Sequence, residues 1–510
     1  MPDETASQER VFQTLGRNPG VKRIDTHGAS VFLDGDRALK VKRAVRFPFL
    51  DYATLEKRKA ACEEEIRINR PIAPQIYHRV VAITEEPDGS ISVGGTGRPI
   101  EYAVEMSRFD ENRTLDHLTK GGPLDGDVAA ATADAILASH DAAIPADGEA
   151  WVASIPALID GVCHGLLVGT HLEAAMVSDL CEDIRQALLR LDPLLRERAR
   201  RGFVRRCHGD LHLANIVMID GQPVLFDAIE FDAQIATVDV LYDLAFPLMD
   251  LLRHDQPVAA NIMLNRYLGK AVADHLDGLS TLPLFMAIRA AIRAEVALAR
   301  LQRPHADGPA IIDEACHYLS LARTLIHPPS PSLIVVGGLS GTGKSVLART
   351  LAPTVPPQPG AVLLRSDVVR KQMFGMCETE RLPPSAYTPE LAAQVYDVLI
   401  RNAQRVLAQG HSVVVDGVFA REAEREAFAA LAKACRVSLA GLFLTADLPT
   451  RLARIGSRRD DASDATQEVA ALQEHYKIGH VGWATIDASG TPAQTLERCR
   501  NAIVGTDKAV

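Results

Sequence analysis

The stretch Gly338-Leu339-Ser340-Gly341-Thr342-Gly343-Lys344-Ser345 constrains this chain more than any other. It fits the spacing G-x-x-x-x-G-K-[ST], and its flanks fit as well. The apolar run Leu333–Gly337 precedes it as a strand, and Val346–Leu351 reads as the opening of a helix. Glycines in such a loop let backbone N–H groups turn inward around phosphate oxygens, and the helix N-terminus adds a favourable dipole. Lys344 supplies a point charge for β and γ phosphates, and Ser345 offers a hydroxyl to Mg²⁺.

The texture around the loop points to a particular kind of sheet. The apolar runs Val362–Leu364, Val413–Val415 and Leu439–Leu444 alternate with helical stretches. Strands apolar on both faces and separated by helices form a buried, doubly wound parallel sheet. Asp367 follows the first of these runs, at the strand end where such sheets bind ligands, and is placed to act as a general base. Asp416 ends the next run and is placed to hold Mg²⁺ through water. Further on, Arg451, Arg454, Arg458 and Arg459 cluster. Arginines at this distance often form a lid that closes on phosphate charge, and the alternative is a solvated basic helix face. His327–Ser332 is rich in proline and reads as a linker. The expected domain after it, residues 333–510, is an α/β P-loop nucleoside triphosphate hydrolase domain with a mostly parallel sheet.

The first two thirds read differently. Residues 24–41 alternate apolar and polar around Gly28, Asp34 and Gly35, a strand–turn–strand pattern. Tyr52–Arg70 has helical spacing. Ile76–Thr84 and Ile100–Met106 read as further strands separated by the turn-rich Glu85–Arg98. Beyond Asp110 the pattern is mostly helical, interrupted by a compact, strand-rich Val204–Phe231. Within that interruption, His208, Asp210 and Asn215 have the spacing H-x-D-x-x-x-x-N. That spacing lets an Asp reach an acceptor hydroxyl while an Asn five residues on reaches a metal. Twelve residues after Asn215, Asp227 ends the run Val224–Phe226, where a second Mg²⁺-chelating aspartate belongs. His208 is expected to brace this loop. A phosphate-binding lysine on a strand and a helix glutamate to hold it are then required. Lys40 with Glu65 is preferred, with Lys42 and Glu64 as close seconds.

Bulk properties narrow the classes. A length of 510 residues suggests roughly two to four domains. A formal net charge of −10 argues against broad binding to nucleic acid, which needs a basic footprint. The eight cysteines form no C-x-x-C pair, which leaves zinc and thioredoxin chemistry without support, and read as unpaired thiols suited to a reducing cytosol. The polar start has no apolar core of a secretory signal. The longest continuous apolar runs are far short of a membrane span. The expectation is a cytoplasmic protein with no membrane partner, its oligomeric state unreadable.

The segment 333–505 resembles the small-molecule P-loop kinases: gluconate kinase, chloramphenicol phosphotransferase, the polynucleotide kinase phosphotransferase domain and zeta toxins. Gly338–Ser345, Asp367 with Arg370, Asp416 and Arg451–Asp464 carry the likeness. It implies that Asp367 is the base and Arg370 a substrate contact, with Gly338, Ser340, Gly341, Thr342, Gly343, Lys344 and Ser345 binding nucleotide and Arg451 and Arg454 acting in transfer. Residues 1–325 resemble the aminoglycoside phosphotransferase and choline kinase superfamily, and Ala228-Ile229 after Asp227 is typical of that group. The whole chain is similar to proteins in which that fold is fused to a P-loop kinase, with Phe47–Tyr52 and Arg70–Tyr77 adding to the match.

The resemblance implies an α+β protein-kinase-like part with an N-lobe over 1–107 and a helical C-lobe over 108–326. The linker 327–332 and the P-loop kinase domain follow. It implies ATP and Mg²⁺ as cofactors, Asp210 as catalytic base, Asn215 and Asp227 as metal ligands, and Glu105 and Met106 as the adenine hinge. Arg289 and Arg293, one helical turn apart, are candidates to grip an anionic acceptor near Asp210, the alternatives being solvated charges or packing salt bridges. The function expected is an ATP-dependent, bifunctional kinase of small-molecule hydroxyl acceptors. The rivals are a non-catalytic nucleotide sensor and a toxin-like kinase of a nucleotide sugar.

Overall fold

The computed structural model describes residues 2–47, 50–168, 171–271, 273–302, 307–457 and 462–507. These form two compact units, one of residues 1–174 and 188–254, the other of residues 175–187 and 255–510.

The first unit opens with a helix, Pro2–Leu15, unforeseen in the sequence because its first turns are polar. Val11 and Phe12 bury against Phe32, Leu39, Val41 and Ile83 of a six-stranded antiparallel sheet. Its strands are Lys22–Asp25, Ala29–Asp34, Arg37–Lys42, Arg98–Ser107, Tyr77–Glu85 and Ile91–Val93, in that spatial order. Ile91–Val93 lies in the stretch expected to be only a turn.

The helix Leu55–Asn69 packs beside this sheet, capped by Thr54, whose side chain accepts from Lys57 N. Its buried positions are Arg58, Cys62, Glu65 and Asn69. Their spacing of three or four residues defines one helix face, but that face is largely polar, so its buried groups must be paired. Arg58 Nε meets the buried Glu101 carboxylate at 2.9 Å, and Gln8 also donates to Glu101, at 2.8 Å. Glu65 and Asn69 are pinned by groups described below.

The helix Gly148–Val168, 21 residues with a mean hydropathy of 1.6, is long and apolar enough to cross a membrane by length and composition. It tolerates Gly161 and Pro156, so no single unbroken apolar run betrays it. One face, including Trp151, Ile155, Ile159 and Leu166, is buried. The reading of the cysteines also needs correction: Cys163 and Cys181 are disulfide-bonded, and the other six are free thiols.

The second unit is built on five parallel strands in the spatial order Val362–Arg365, Val413–Asp416, Ser332–Gly338, Ser438–Thr445 and Ala484–Asp487. The central strand carries the phosphate loop into the helix Lys344–Leu351. Ile334, Val336, Val414, Leu442 and Leu444 face Leu347, Ala348 and Leu351 in one core. This unit begins before the proline-rich 327–332. The helix Pro257–Lys270 belongs to it, covering the edge strand. Asn265 Oδ1 accepts from Leu363 N at 2.7 Å, and Asn261 Nδ2 donates to Ala361 O at 3.0 Å. Those bonds satisfy backbone groups that an edge strand otherwise leaves open.

Candidate functional site

In the first unit, alternating charges join the strand Arg37–Lys42, the helix Leu55–Asn69 and the loop after Phe226. Lys40 Nζ lies 2.6 Å from Asp227 Oδ1 and 2.7 Å from Glu65 Oε1. Lys42 Nζ lies 2.6 Å from Glu65 Oε2 and pairs with Glu230. The series runs Asp227, Lys40, Glu65, Lys42, Glu230, three carboxylates to two ammoniums. Burial pushes the Glu65 carboxyl up, but the two lysines outweigh it and hold the group below its ordinary value. Glu64, the second choice from sequence, instead pairs with Arg67 at the surface.

Asp227 sits in the left-handed region, φ +62°. Burial raises its carboxyl, and Lys40 beside it brings the net shift below the ordinary range. The loop bearing Asp210 is held from behind, where Asp243 accepts from His208 N at 3.3 Å and Gly209 N at 2.9 Å. Gly209 is required there: φ is +83°, and a Cβ would lie 2.9 Å from Ala236 Cβ. His208 Nε2 meets Phe226 O at 2.9 Å, a bracing contact between the two loops. Asn215 Nδ2 donates to Asp210 O at 2.9 Å. The amide oxygen of Asn215 and the carboxylate of Asp227 are hard donors that suit Mg²⁺.

Glu105 and Met106, the expected adenine hinge, lie within the strand Arg98–Ser107. Both are paired on either side, with Leu39 and Ala38 on one strand and Arg79 and Tyr77 on the other. Their backbone groups are committed to the sheet, and the Glu105 carboxylate bridges Arg37 and Arg79. Arg289 and Arg293 belong to the second unit. Arg289 is buried, and the Arg293 guanidinium lies 5.7 Å from the Tyr318 ring centroid.

In the second unit the phosphate loop borders a cavity of about 1080 Å³. Gly341 has φ +87°, and a Cβ there would lie 2.7 Å from Arg451 O, so the helix Leu448–Gly456 packs directly on the loop. Ser345 Oγ donates to Asp416 Oδ2 at 2.6 Å, and Arg365 Nε approaches the same oxygen at 3.4 Å. This hydroxyl and carboxylate form an oxygen donor set suited to Mg²⁺. Lys344 Nζ donates to Leu339 O at 3.1 Å. Asp367 lies on the cavity wall, its carboxyl raised by burial and then by Asp416, with Lys344 and Arg365 partly offsetting. Arg370 also lines the cavity. It is buried, donates to Ala386 O at 2.7 Å, and lies 5.0 Å from the Tyr387 ring centroid.

In the arginine cluster, Arg451 and Arg454 both donate to backbone carbonyls. Arg451 is buried, and its guanidinium donates to Ser340 O at 2.8 Å and Ala470 O at 3.1 Å and pairs with Glu474. It shapes the loop from outside. Arg454 lines the cavity while donating to Ala488 O and Gly490 O, each at 2.8 Å. Arg458 and Arg459 lie outside the described residues, as do Pro48 and Phe49 of the N-lobe match. Sequence reading missed Asn69, Tyr77, Glu230 and Gln473, polar groups buried around these loops. Three of them, Asn69, Glu230 and Gln473, are residue types rarely fully buried unless paired, but no motif marks their positions.

Residues 333–476 match the family described as AAA domain. The chain is 29% identical over 497 residues to the uncharacterized protein Rv2004c of Mycobacterium tuberculosis, spanning 92% of this chain and 93% of that protein. A solved choline/ethanolamine kinase family protein from Mesorhizobium loti is similar over 62% of this chain and 99% of its own, at 16% identity and a TM-score of 0.37. A solved gluconokinase from Sinorhizobium meliloti is similar over 35% of this chain and 95% of its own, at 19% identity and a TM-score of 0.26. Within the second unit, residues 333–476 thus combine strands of the parallel sheet and the phosphate loop with a match to the AAA description.

Proposed function

We propose that this chain is a bifunctional ATP-dependent phosphotransferase whose two sites each pass a γ-phosphoryl group to a hydroxyl on a small molecule. The observation that carries the reading is the grouping of Lys344, Ser345, Asp416 and Asp367 on one cavity wall. These are the groups that bind phosphate, hold a metal and take a proton. Mg²⁺, when bound, neutralises phosphate charge. Asp367 accepts the hydroxyl proton as the acceptor oxygen forms its bond to phosphorus and the bond to the β,γ-bridging oxygen breaks. A base with a raised pKa takes that proton more readily. Arg370 orients the acceptor.

In the first unit Lys40, held by Glu65, meets nucleotide phosphate, Asp227 and Asn215 hold metal, and Asp210 orients a second acceptor. The exposure of Asp210, 44% for its side chain, leaves it open to such a molecule. A cytoplasmic setting suits enzymes that draw on ATP.

The test is nucleotide titration combined with a γ-labelled ATP screen over metabolites carrying hydroxyls. Wild type should bind nucleotide at both sites, and Lys344→Ala should lose only the P-loop site. Loss of all binding in Lys344→Ala would remove the first site from the proposal. Binding at both sites with transfer to no acceptor would leave a nucleotide sensor.

A further inference from the structure

The loop that bears Asp227 has its backbone groups taken, residue after residue, by other parts of the first unit. Phe226 N donates to Asn215 O at 3.0 Å, and Phe226 O meets His208. Asp227 N donates to Tyr77 Oη at 3.1 Å. Ala228 N donates to Asn69 Oδ1 at 2.7 Å, and Asn69 Nδ2 returns a bond to Ala228 O at 3.1 Å. Ile229 N donates to His208 O at 3.0 Å, and Ile229 O accepts from Arg206 at 2.8 Å.

Two of these partners come from the same lobe as Lys40. Asn69 is the last residue of the helix that carries Glu65, and Tyr77 opens the strand that follows. Both are buried, at 0% and 1% exposure. Asn69 bonds both backbone groups of one residue, Ala228, as a paired strand would. What they fix is the backbone on either side of a left-handed aspartate, a conformation that costs free energy unless its surroundings impose it.

We infer that Asn69 and Tyr77 are positioning residues that hold Asp227 in its metal-binding geometry and tie it to the helix bearing Glu65. The inference rests on the proposed first-unit ATP site. Through Asn69, a displacement of that helix moves Glu65 and the Asp227 loop together, so the phosphate lysine and the metal aspartate assemble as one piece. Side chains that orient a ligating residue without touching the metal typically contribute about 10- to 100-fold in metal affinity.

The experiment uses the full chain with Lys344→Ala, which confines nucleotide to the first site, and Mn²⁺ as the spectroscopic probe in the presence of a non-hydrolysable ATP analogue. Asn69→Ala should weaken Mn²⁺ binding by about 10- to 100-fold, with metal-free nucleotide affinity unchanged. Asn69→Asp, which keeps the acceptor for Ala228 N, should recover part of the loss. Tyr77→Phe, which removes only a hydroxyl, should show a smaller loss of the same kind and keeps the test valid where Asn69→Ala fails to fold. Without any ligand, the amides of Asp227 and Ala228 should exchange hydrogen faster in these variants.

Unchanged Mn²⁺ affinity in Tyr77→Phe and in a folded Asn69→Ala, or an equal loss of metal-free nucleotide, overturns the positioning role. Asp227→Asn serves as the control. If it too leaves Mn²⁺ binding intact, the reading of the first-unit metal site fails, and the positioning role falls with it.

Discussion

Gln473 holds Ser340 at two points: its Oε1 accepts from Ser340 N at 2.7 Å, and its Nε2 donates to Ser340 Oγ at 3.0 Å. Arg451 takes the remaining polar atom of that residue, its carbonyl oxygen. The third residue of the phosphate loop is therefore fully bound by the segment 448–476. Arg451→Ala should act on the shape of the loop. Loss of a buried guanidinium and its partners should cost about 2–4 kcal/mol of stability and raise KM for ATP at the P-loop site. Gln473→Leu should do the same more mildly. Thermal unfolding and steady-state kinetics read both. An unchanged Tm with a fall in kcat alone would instead favour an arginine that closes on phosphate.

That expectation arose because spacing alone cannot tell which side of a loop an arginine approaches. The loop, its strand and helix, Asp367 and Asp416 were legible, since each follows an apolar run and sits at a strand end. The pairing of Lys40 with Glu65 was legible as a requirement, although three adjacent glutamates left the partner open. Gln473, Asn69 and Tyr77 were not, because their partners are backbone atoms far away in sequence. That residues from Asp255 onward share the P-loop unit was hidden for a related reason: Asn261 and Asn265 reach the edge strand across about a hundred residues of chain. The proline-rich segment looked like a boundary, yet a proline run records only local stiffness.

Asp367→Asn should separate stability from activity. The folded-state pKa of Asp367 lies above its unfolded value, through burial and the nearby Asp416. Such a group stabilises the fold below its unfolded pKa, and that stability is lost as pH rises through the folded pKa. Above the ordinary carboxyl range this group therefore costs stability, which asparagine removes. The variant should melt at a higher temperature than wild type at pH 7, with the gap closing at acid pH, while transfer at the P-loop site falls by about 100- to 10,000-fold. A lower Tm at neutral pH would contradict the charge balance.

His411 gives an acid-sensitive term away from either site. Its ring is fully buried, and burial pushes its pKa down to about 4, with the Leu279 backbone partly offsetting. Here the unfolded chain binds the proton more readily. Stability should fall as pH drops from about 6.5 toward 4, by up to about 3 kcal/mol. His411→Leu should flatten that part of the curve, as followed by urea unfolding at a series of pH values. A wild-type profile with the same slope as the variant would show that another group is responsible.

Lys40 and Lys42 share a strand face and a glutamate, yet their replacement should have different consequences. Lys42 is buried between Glu65 and Glu230, both also buried. Lys42→Met strips Glu230 of its ammonium and leaves Glu65 with one, and breaking a buried pair in this way costs about 3–5 kcal/mol. That variant should lose stability first and nucleotide binding only as a consequence. Lys40 borders Asp227, whose side chain is 44% exposed and can be solvated once the lysine is gone. Glu65 would still keep Lys42. Lys40→Met should therefore stay folded with a small change in Tm and lose nucleotide affinity at the first site, measured in the Lys344→Ala background. If Lys42→Met folds normally and loses nucleotide while Lys40→Met binds it, the roles of the two lysines are exchanged.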